Sequence, residues 1–339
     1  MKAVKVRAGG GVEVVDVDVP EVGEGELLVE MRMCGVDGTD LEKAFGRPLT
    51  PPMLGHEVVG IVSESRAEGF EKGDRVFVHH HVSCGKCYYC REGSPTMCPL
   101  FLKTSIEPCG FAEFFRVPRV NVERGAVLRL PDALEWEEAV FIEPAACVLR
   151  ALRRAGFRAG KTLSLVGAGP TGSIFIVMAK AFGAPVVAVS ELSVFRRTKA
   201  LENGADVAVN PFDTDFAKKC RELTDGLGVD IAVLATPAYK PLSTALDSLR
   251  NGGTLLLFGA PEKGEKTEVD FSRLFIEEKN IVTSYSTTET ETNTVLKMLA
   301  QKVFSLKHLI THVYPIEEAV EAFEKARDAG ASLKVVIES

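Results

Sequence analysis

Across the first 150 residues, apolar and polar positions alternate in short runs broken by Gly and Pro. Residues 1–6, 11–19, 26–33, 57–63 and 75–78 each follow this period of two, which predicts half-buried strands in a β-rich, barrel-like domain. Asp132 and Glu135 stand at capping-box spacing and predict a short helix through Ala139. Glu143-Pro144 opens a second helix, with Pro in the first turn where its missing N–H costs nothing. After Ala159-Gly160 the texture changes. Residues 162–166 form one continuous apolar run, 171–182 follow the helical period, and 185–189 and 195–203 repeat that order. Further strands are expected at 230–235 and 253–259. Strands alternating with helices imply a parallel, doubly wound α/β sheet. From about residue 290 the pattern predicts one or two helices and a last strand at 333–338. The expected division is therefore 1–150, 151–289 and 290–339, with no internal repeat.

Composition narrows this only a little. A chain of 339 residues with 46% hydrophobic and 26% charged positions supports two ordinary globular cores. A formal net charge of −7 argues against nucleic acid or an anionic membrane as partner and leaves a small molecule. Residues 162–189 are apolar enough to suggest a membrane span, but Lys180, several glycines, two prolines and a change of period divide the stretch. The N-terminus lacks the apolar core of an export signal, so the expected compartment is the cytoplasm, where thiols stay reduced.

That redox setting changes the reading of the cysteines. Cys84, Cys87, Cys90 and Cys98 fall within fifteen residues, at a spacing that lets four thiolates surround one tetrahedral Zn²⁺ with no open position. Such an ion closes a loop and does no chemistry. The rival reading is a pair of disulfides in a secreted domain, which the scattered remaining cysteines and the missing export signal oppose.

Gly167-Ala168-Gly169-Pro170-Thr171-Gly172 is G-x-G-x-x-G between a predicted strand and a predicted helix. Gly167 permits the tight turn, Gly169 lets a pyrophosphate approach the backbone, and Gly172 lets helix and strand pack closely. Pro170 and Thr171 open the helix. Glu191 follows at the end of the second strand, where a carboxylate accepts ribose hydroxyls and repels a 2′-phosphate, favouring NAD over NADP. Arg196 and Arg197 could instead neutralise that phosphate, or simply line a solvated helix face.

Gly55-His56-Glu57 and Ile142-Glu143-Pro144 supply an imidazole and two carboxylates far apart in sequence. A catalytic zinc takes three such donors and keeps one position open. Together with Gly73-Asp74-Arg75-Val76, the cysteine lobe at 84–98, Gly110-Phe111-Ala112-Glu113 and the glycine loop, the order of motifs resembles the zinc-dependent medium-chain dehydrogenase/reductase family, nearest its polyol and sugar dehydrogenase branch. The resemblance spans nearly the whole chain. It implies a GroES-like catalytic domain, a Rossmann domain inserted late, a C-terminal return to the first, two Zn²⁺ per chain, and a homodimer or homotetramer.

One departure stands out. The family pattern near the first ligand reads Gly-x-Cys-Gly-(Ser/Thr)-Asp, whereas this chain has Gly35-Val36-Asp37-Gly38-Thr39-Asp40. Either Asp37 is the ligand or local refolding brings in Cys34; the register of Thr39-Asp40 favours Asp37, as in some glucose dehydrogenases that the chain resembles. A carboxylate donor weakens selectivity for zinc over Mn²⁺, Co²⁺ or Fe²⁺. Asp37, His56 and Glu143 would then hold the catalytic metal, with Glu57 either supporting them or alternating as a ligand. Thr39 is the candidate hydroxyl for the substrate oxygen, and its bland alternative is a turn threonine. Glu42 stands where many relatives carry a relay histidine, which suits a polyhydroxylated substrate. The expected reaction is transfer of a hydride from a secondary alcohol of a polyol, sugar or sugar acid to NAD(P). Simple alcohols and amino alcohols are alternatives, as is a zinc protein that has lost turnover. A zinc-free reductase would lack both metal motifs. Of His79, His80 and His81, strand alternation predicts one facing the site and the others structural or exposed; His308 and His312 read as surface residues on one helical face.

Overall fold

A computed structural model describes residues 1–46 and 54–339. In chain order, β1 (Lys2–Val6), β2 (Val12–Asp16) and β3 (Leu27–Gly35) lead to α1 (Gly38–Phe45), then β4 (Glu57–Ser65) and β5 (Arg75–Val78). The short helix α2 (Tyr88–Arg91) precedes β6 (Phe114–Val117), α3 (Arg119–Glu123), β7 (Val127–Arg129), α4 (Trp136–Ala139) and α5 (Ile142–Arg154). Next come β8 (Leu163–Val166), α6 (Pro170–Ala181), β9 (Val187–Ser190), α7 (Val194–Glu202), β10 (Val207–Val209) and α8 (Phe216–Glu222). They are followed by β11 (Val229–Leu234), α9 (Leu242–Ser248), β12 (Leu249–Leu257), α10 (Phe271–Ile276) and β13 (Asn280–Thr283). The tail holds α11 (Glu289–Ala300), β14 (Ile310–Pro315), α12 (Ala319–Arg327) and β15 (Lys334–Glu338).

The chain divides into two compact units, one of residues 1–146, 286–328 and 334–339, the other of 147–285 and 329–333. Among the described residues of the first unit, the main sheet runs β14-β15-β3-β4-β5-β7, with β6 also paired to β3. The last strand thus enters the sheet beside β3, antiparallel, with Val336 opposite Gly35 and Ile337 opposite Cys34. Across β3, Gly35 faces Glu57 of β4. The core gathers Val29, Met31, Val58, Val62 and Phe115 from the strands, with Phe111 from a loop and Phe323 from α12. This mixed α/β chain therefore carries a GroES-like β-rich domain.

In the second unit six strands run in the order β10-β9-β8-β11-β12-β13. Every pair is parallel. Both faces of such a sheet are covered, which is why β8 and β9 are buried at all four positions and read as unbroken apolar runs. This is the doubly wound sheet of a Rossmann domain. At its edge, β13 is almost wholly exposed, and β10 is only three residues long.

Two local expectations are corrected. The helix α4 starts at Trp136 and is capped by Glu135, without a side-chain cap bond, so Asp132 falls in the preceding turn, where its carbonyl accepts from Arg75 at 2.7 Å. A capping box does form at α1, where Asp37 accepts from Thr39 and Asp40 reaches back to the Asp37 N–H. His308 lies in a 3₁₀ turn and His312 in β14, so they share no helical face; His312 is half-buried and stacks on Tyr314.

Candidate metal centres and nucleotide loop

The four cysteines of the lobe come together around the short helix α2. Cys87 and Cys90 sulfurs are 3.5 Å apart, and Cys84 and Cys90 4.0 Å. A disulfide needs about 2.05 Å. Tetrahedral zinc with Zn–S bonds of about 2.3 Å places its sulfurs roughly 3.8 Å apart, so the donor set fits that ion. The Lys86 and Cys87 backbone N–H groups point at the Cys84 sulfur and lower its pKa to about 6. A site that favours thiolate before any metal arrives is suited to one.

The second cluster is built from three separate stretches. His56 ends the loop before β4, Glu57 begins that strand, and Glu143 occupies the first turn of α5, where the helix dipole favours a carboxylate. One potential ligand atom from each lies within 4.8 Å of the others. Asp37, the cap of α1, adjoins this group through His56, with Oδ2 3.6 Å from Nε2. On the opposite side of the ring, Asp40 Oδ1 stands 3.7 Å from Nδ1. Asp40 is fully buried, accepts the Gly55 N–H at 3.0 Å, and so ties the loop of His56 to the start of α1. Thr39 donates both its N–H and its hydroxyl to Asp37 Oδ2, at 3.0 and 2.7 Å.

Charge explains the titration of the cluster. Burial disfavours a charged His56, yet Asp40, Glu143 and Asp37 raise its pKa to about 10. Burial raises Asp37, but His56 and Lys334 outweigh it and bring it down to about 2. Glu57 is pushed up to about 7 by burial, with Asp37 and Glu143 adding to the push and Lys334 opposing it. A field of carboxylates that holds a proton on imidazole also favours a divalent cation. Glu57 Oε1 is buried without a hydrogen-bond partner among the described residues, a polar atom that a metal would satisfy. The residues present fit zinc.

Cys34 lies elsewhere. It is fully buried on β3, opposite Val58 and Ile337, and burial keeps its thiol protonated well above the usual range. The three consecutive histidines depart from strand alternation because β5 ends at Val78. His79 is buried, and His80 and His81 are half-buried, so none is exposed. Their rings form a chain, 5.3 Å from His79 to His80 and 3.9 Å from His80 to His81, and His80 stands 5.2 Å from His56. Burial keeps all three neutral, lowering His79 to about 3 and His81 to about 4.

The glycine loop lies in the second unit. Gly167 has φ +99°, which an L side chain rarely adopts, and a Cβ on Gly172 would strike the Gly167 carbonyl. Gly169 caps α6, with Pro170 at the first helical position and Thr171 next to it. A Cβ at Gly169 would meet the Arg196 guanidinium at 3.5 Å. Glu191 accepts from the Ala168 N–H at 2.8 Å and the Ser193 N–H at 2.9 Å, which fixes its carboxylate beside the loop. Arg197 Nη1 donates to the carbonyls of Glu191 and Leu192. A bare-backbone turn at a helix N-terminus beside an acidic residue fits a dinucleotide.

Lys334 was not foreseen from sequence. It is 1% exposed, its ammonium ion-paired with Glu57 and donating to the Val36 carbonyl at 3.1 Å. A side chain at Gly35 would occupy the space of both charged groups. The available signal was a lone lysine inside the apolar run Leu333-Lys334-Val335-Val336-Ile337. No described helix is long and apolar enough to cross a membrane.

Comparison with known proteins agrees with this geometry. Residues 23–131 match the Alcohol dehydrogenase GroES-like domain, and 170–301 match the Zinc-binding dehydrogenase family. An L-threonine 3-dehydrogenase from Pyrococcus horikoshii is 38% identical, over 98% of this chain and 96% of its own. A sorbitol dehydrogenase from Bacillus subtilis is 30% identical, over 96% of this chain and 93% of its own. The crystal structure of an alcohol dehydrogenase from Escherichia coli CFT073 with NADH superposes with a TM-score of 0.87 at 25% identity, covering 100% of this chain and 99% of that one. With relatives this similar along nearly its full length, the chain belongs to the zinc-dependent medium-chain dehydrogenase/reductase family, in its polyol dehydrogenase branch, and is an NAD(P)-dependent alcohol dehydrogenase.

Proposed function

We propose that the chain oxidises a secondary alcohol of a polyol, sugar or sugar acid, with NAD preferred to NADP as acceptor. The observation that carries this reading is the gathering of His56, Glu57 and Glu143 in a buried, acidic centre, in a chain that also folds a dinucleotide loop. Two Zn²⁺ per chain are proposed: one on Cys84, Cys87, Cys90 and Cys98, the other on Asp37, His56 and Glu143, with Glu57 as an exchangeable fourth donor. When bound, the second zinc supplies a Lewis acid that acidifies the alcohol, and the nicotinamide supplies a hydride acceptor. Gly167, Gly169, Pro170, Thr171 and Gly172 would receive the pyrophosphate, while Glu191 would take the ribose hydroxyls.

The remaining roles belong to side chains already in place. Thr39 gives its hydroxyl proton to Asp37 and keeps lone pairs to accept the proton of a substrate alcohol. Asp40 orients His56, and Lys334 holds Glu57. Glu42, farther along α1, offers a carboxylate to further hydroxyls. The apolar side chains of Phe271, Phe275 and Ile276 on α10 are strongly exposed near the free edge strand β13, which supports a homodimer or homotetramer. Eight free cysteines support a cytoplasmic setting.

The test is a panel of polyols, aldoses, sugar acids and L-threonine with NAD and NADP, followed by absorbance of the reduced cofactor. Polyols with NAD are expected to give the highest kcat/KM. Glu143→Ala should abolish turnover while NAD binding stays nearly intact; surviving turnover would remove Glu143 from the metal.

A further inference from the structure

We propose that His80 is a specificity-determining residue, its imidazole Nδ1 hydrogen-bonding a second hydroxyl of the substrate on the carbon next to the one oxidised. The inference rests on the alcohol dehydrogenase reading above and adds what that site selects.

Three observations lead to it. First, the backbone that carries the ring is held in place. Asn121 Nδ2 donates to the carbonyls of both His79 and His80, at 3.3 and 2.9 Å, and the His79 N–H donates to Ala126. Second, the ring is beside the metal cluster, 5.2 Å from His56, so a substrate oxygen drawn to that cluster lies close to it. Third, Nδ1 of His80 is buried and finds no hydrogen-bond partner among the described residues. A buried polar atom without a partner costs stability and calls for an explanation.

Its neighbours do not supply one. His81 stacks on it at 3.9 Å but commits its own Nδ1 to the Thr104 carbonyl at 2.8 Å. His79 is fully buried against Phe101 and is farther from His56 than His80 is by the chain of ring contacts. The groups that act on His80 are the imidazoles of His56, His79 and His81 and the ammonium of Lys43, with no carboxylate prominent among them. A neutral imidazole nitrogen matches a hydroxyl, which donates or accepts as the tautomer requires. The chemistry recognised is therefore a vicinal diol, and a site built around that bond discriminates against the analogue lacking it.

The experiment compares butane-2,3-diol with butan-2-ol, the same skeleton without the second hydroxyl, as kcat/KM with NAD for the zinc-loaded enzyme. His80→Leu should lower the diol-to-monoalcohol ratio about 10- to 100-fold. His80→Asn, whose amide falls where Nδ1 was, should keep the ratio within about threefold, and His80→Gln, whose amide reaches the Nε2 position, should lose it as Leu does. Calorimetric binding of the diol to enzyme saturated with NADH should weaken in the same order, without chemistry. An unchanged ratio in His80→Leu overturns the assignment. If that variant does not fold, equal ratios in the Asn and Gln variants overturn it instead. A wild-type enzyme that oxidises neither alcohol, nor any of the panel, would defeat the parent reading before a variant is made.

Discussion

Lys334→Met tests whether the buried charge network holds the first unit together. Methionine keeps the apolar stem of the side chain in β15 and removes only the ammonium. Glu57 then loses the ammonium paired with it, leaving the more distant His56 imidazole as the cation acting on it, and the Val36 carbonyl loses its donor. Removing one partner of a buried ion pair costs about 3–5 kcal/mol, within which an orphaned carbonyl accounts for roughly 1–3. That is a large share of a typical total of about 5–15 kcal/mol. Trp136, the single tryptophan of the chain, lies in α4 of the same unit with the Arg75 guanidinium 4.1 Å above its ring, so its fluorescence follows this unit. In urea, with a slope of about 2 kcal/mol/M, the midpoint should fall by about 1.5–2.5 M with the slope unchanged. Adding Glu57→Gln removes the stranded charge, and the double variant should recover about 1–3 kcal/mol relative to additivity. A Lys334→Met protein within about 1 kcal/mol of the original, or strictly additive effects, would refute the reasoning.

Three further outcomes are expected. Asp230 accepts from Lys161, Thr162 and Arg250, and although burial opposes it, these partners hold its carboxyl well below the usual range. A depressed folded pKa gives stability that is fully present above about pH 4 and lost progressively as pH falls toward the folded value, so Asp230→Asn should cost about 1–3 kcal/mol near pH 7 and steadily less below about pH 4, as read by circular dichroism melts across pH. Cys90→Ser should lower the zinc content by one ion per chain in elemental analysis, and retention of both ions would remove the lobe as a metal site. Glu191→Ala should weaken NAD binding by about tenfold and narrow the preference over NADP, measured by titrating each cofactor; equal losses for both cofactors would assign Glu191 only to bracing the Ala168 and Ser193 N–H groups.

Much of this architecture was legible where one stretch of chain carries its own signal. The buried strands β8 and β9, the helix α6 between them and the glycine turn are written consecutively, and their boundaries fall within about two residues of expectation. The cysteine lobe was legible for the same reason. The short edge strands β10 and β13 were missed because β10, half-buried throughout, is too short at three residues to show alternation, and exposure removes it from β13. In the histidine run the strand itself stops at Val78, where pairing ends, so alternation does not govern which ring meets His56. The pairing of Lys334 with Glu57 was invisible for a different reason. The lysine meets Glu57 only when β15 joins β3 and β3 joins β4 in one register, over nearly three hundred residues of separation. No local pattern reports such a meeting.

Asp37 shows why the departure from the family pattern is physically coherent. Its Oδ2 accepts two donors from Thr39, its N–H is returned to Asp40, and Asp40 reaches on to Gly55 and His56. A thiolate is a weaker acceptor than a carboxylate and would cap α1 less well. The aspartate therefore fastens the helix that carries Thr39 to the loop that carries His56 and, in the function proposed above, would also offer an oxygen to the metal. Around that centre Asp37, Asp40, Glu57 and Glu143 face one ammonium, from Lys334, and an imidazole that they drive toward its charged form. Four carboxylates against one fixed positive charge make an unbalanced interior, and the divalent ion of the proposed function would restore the balance.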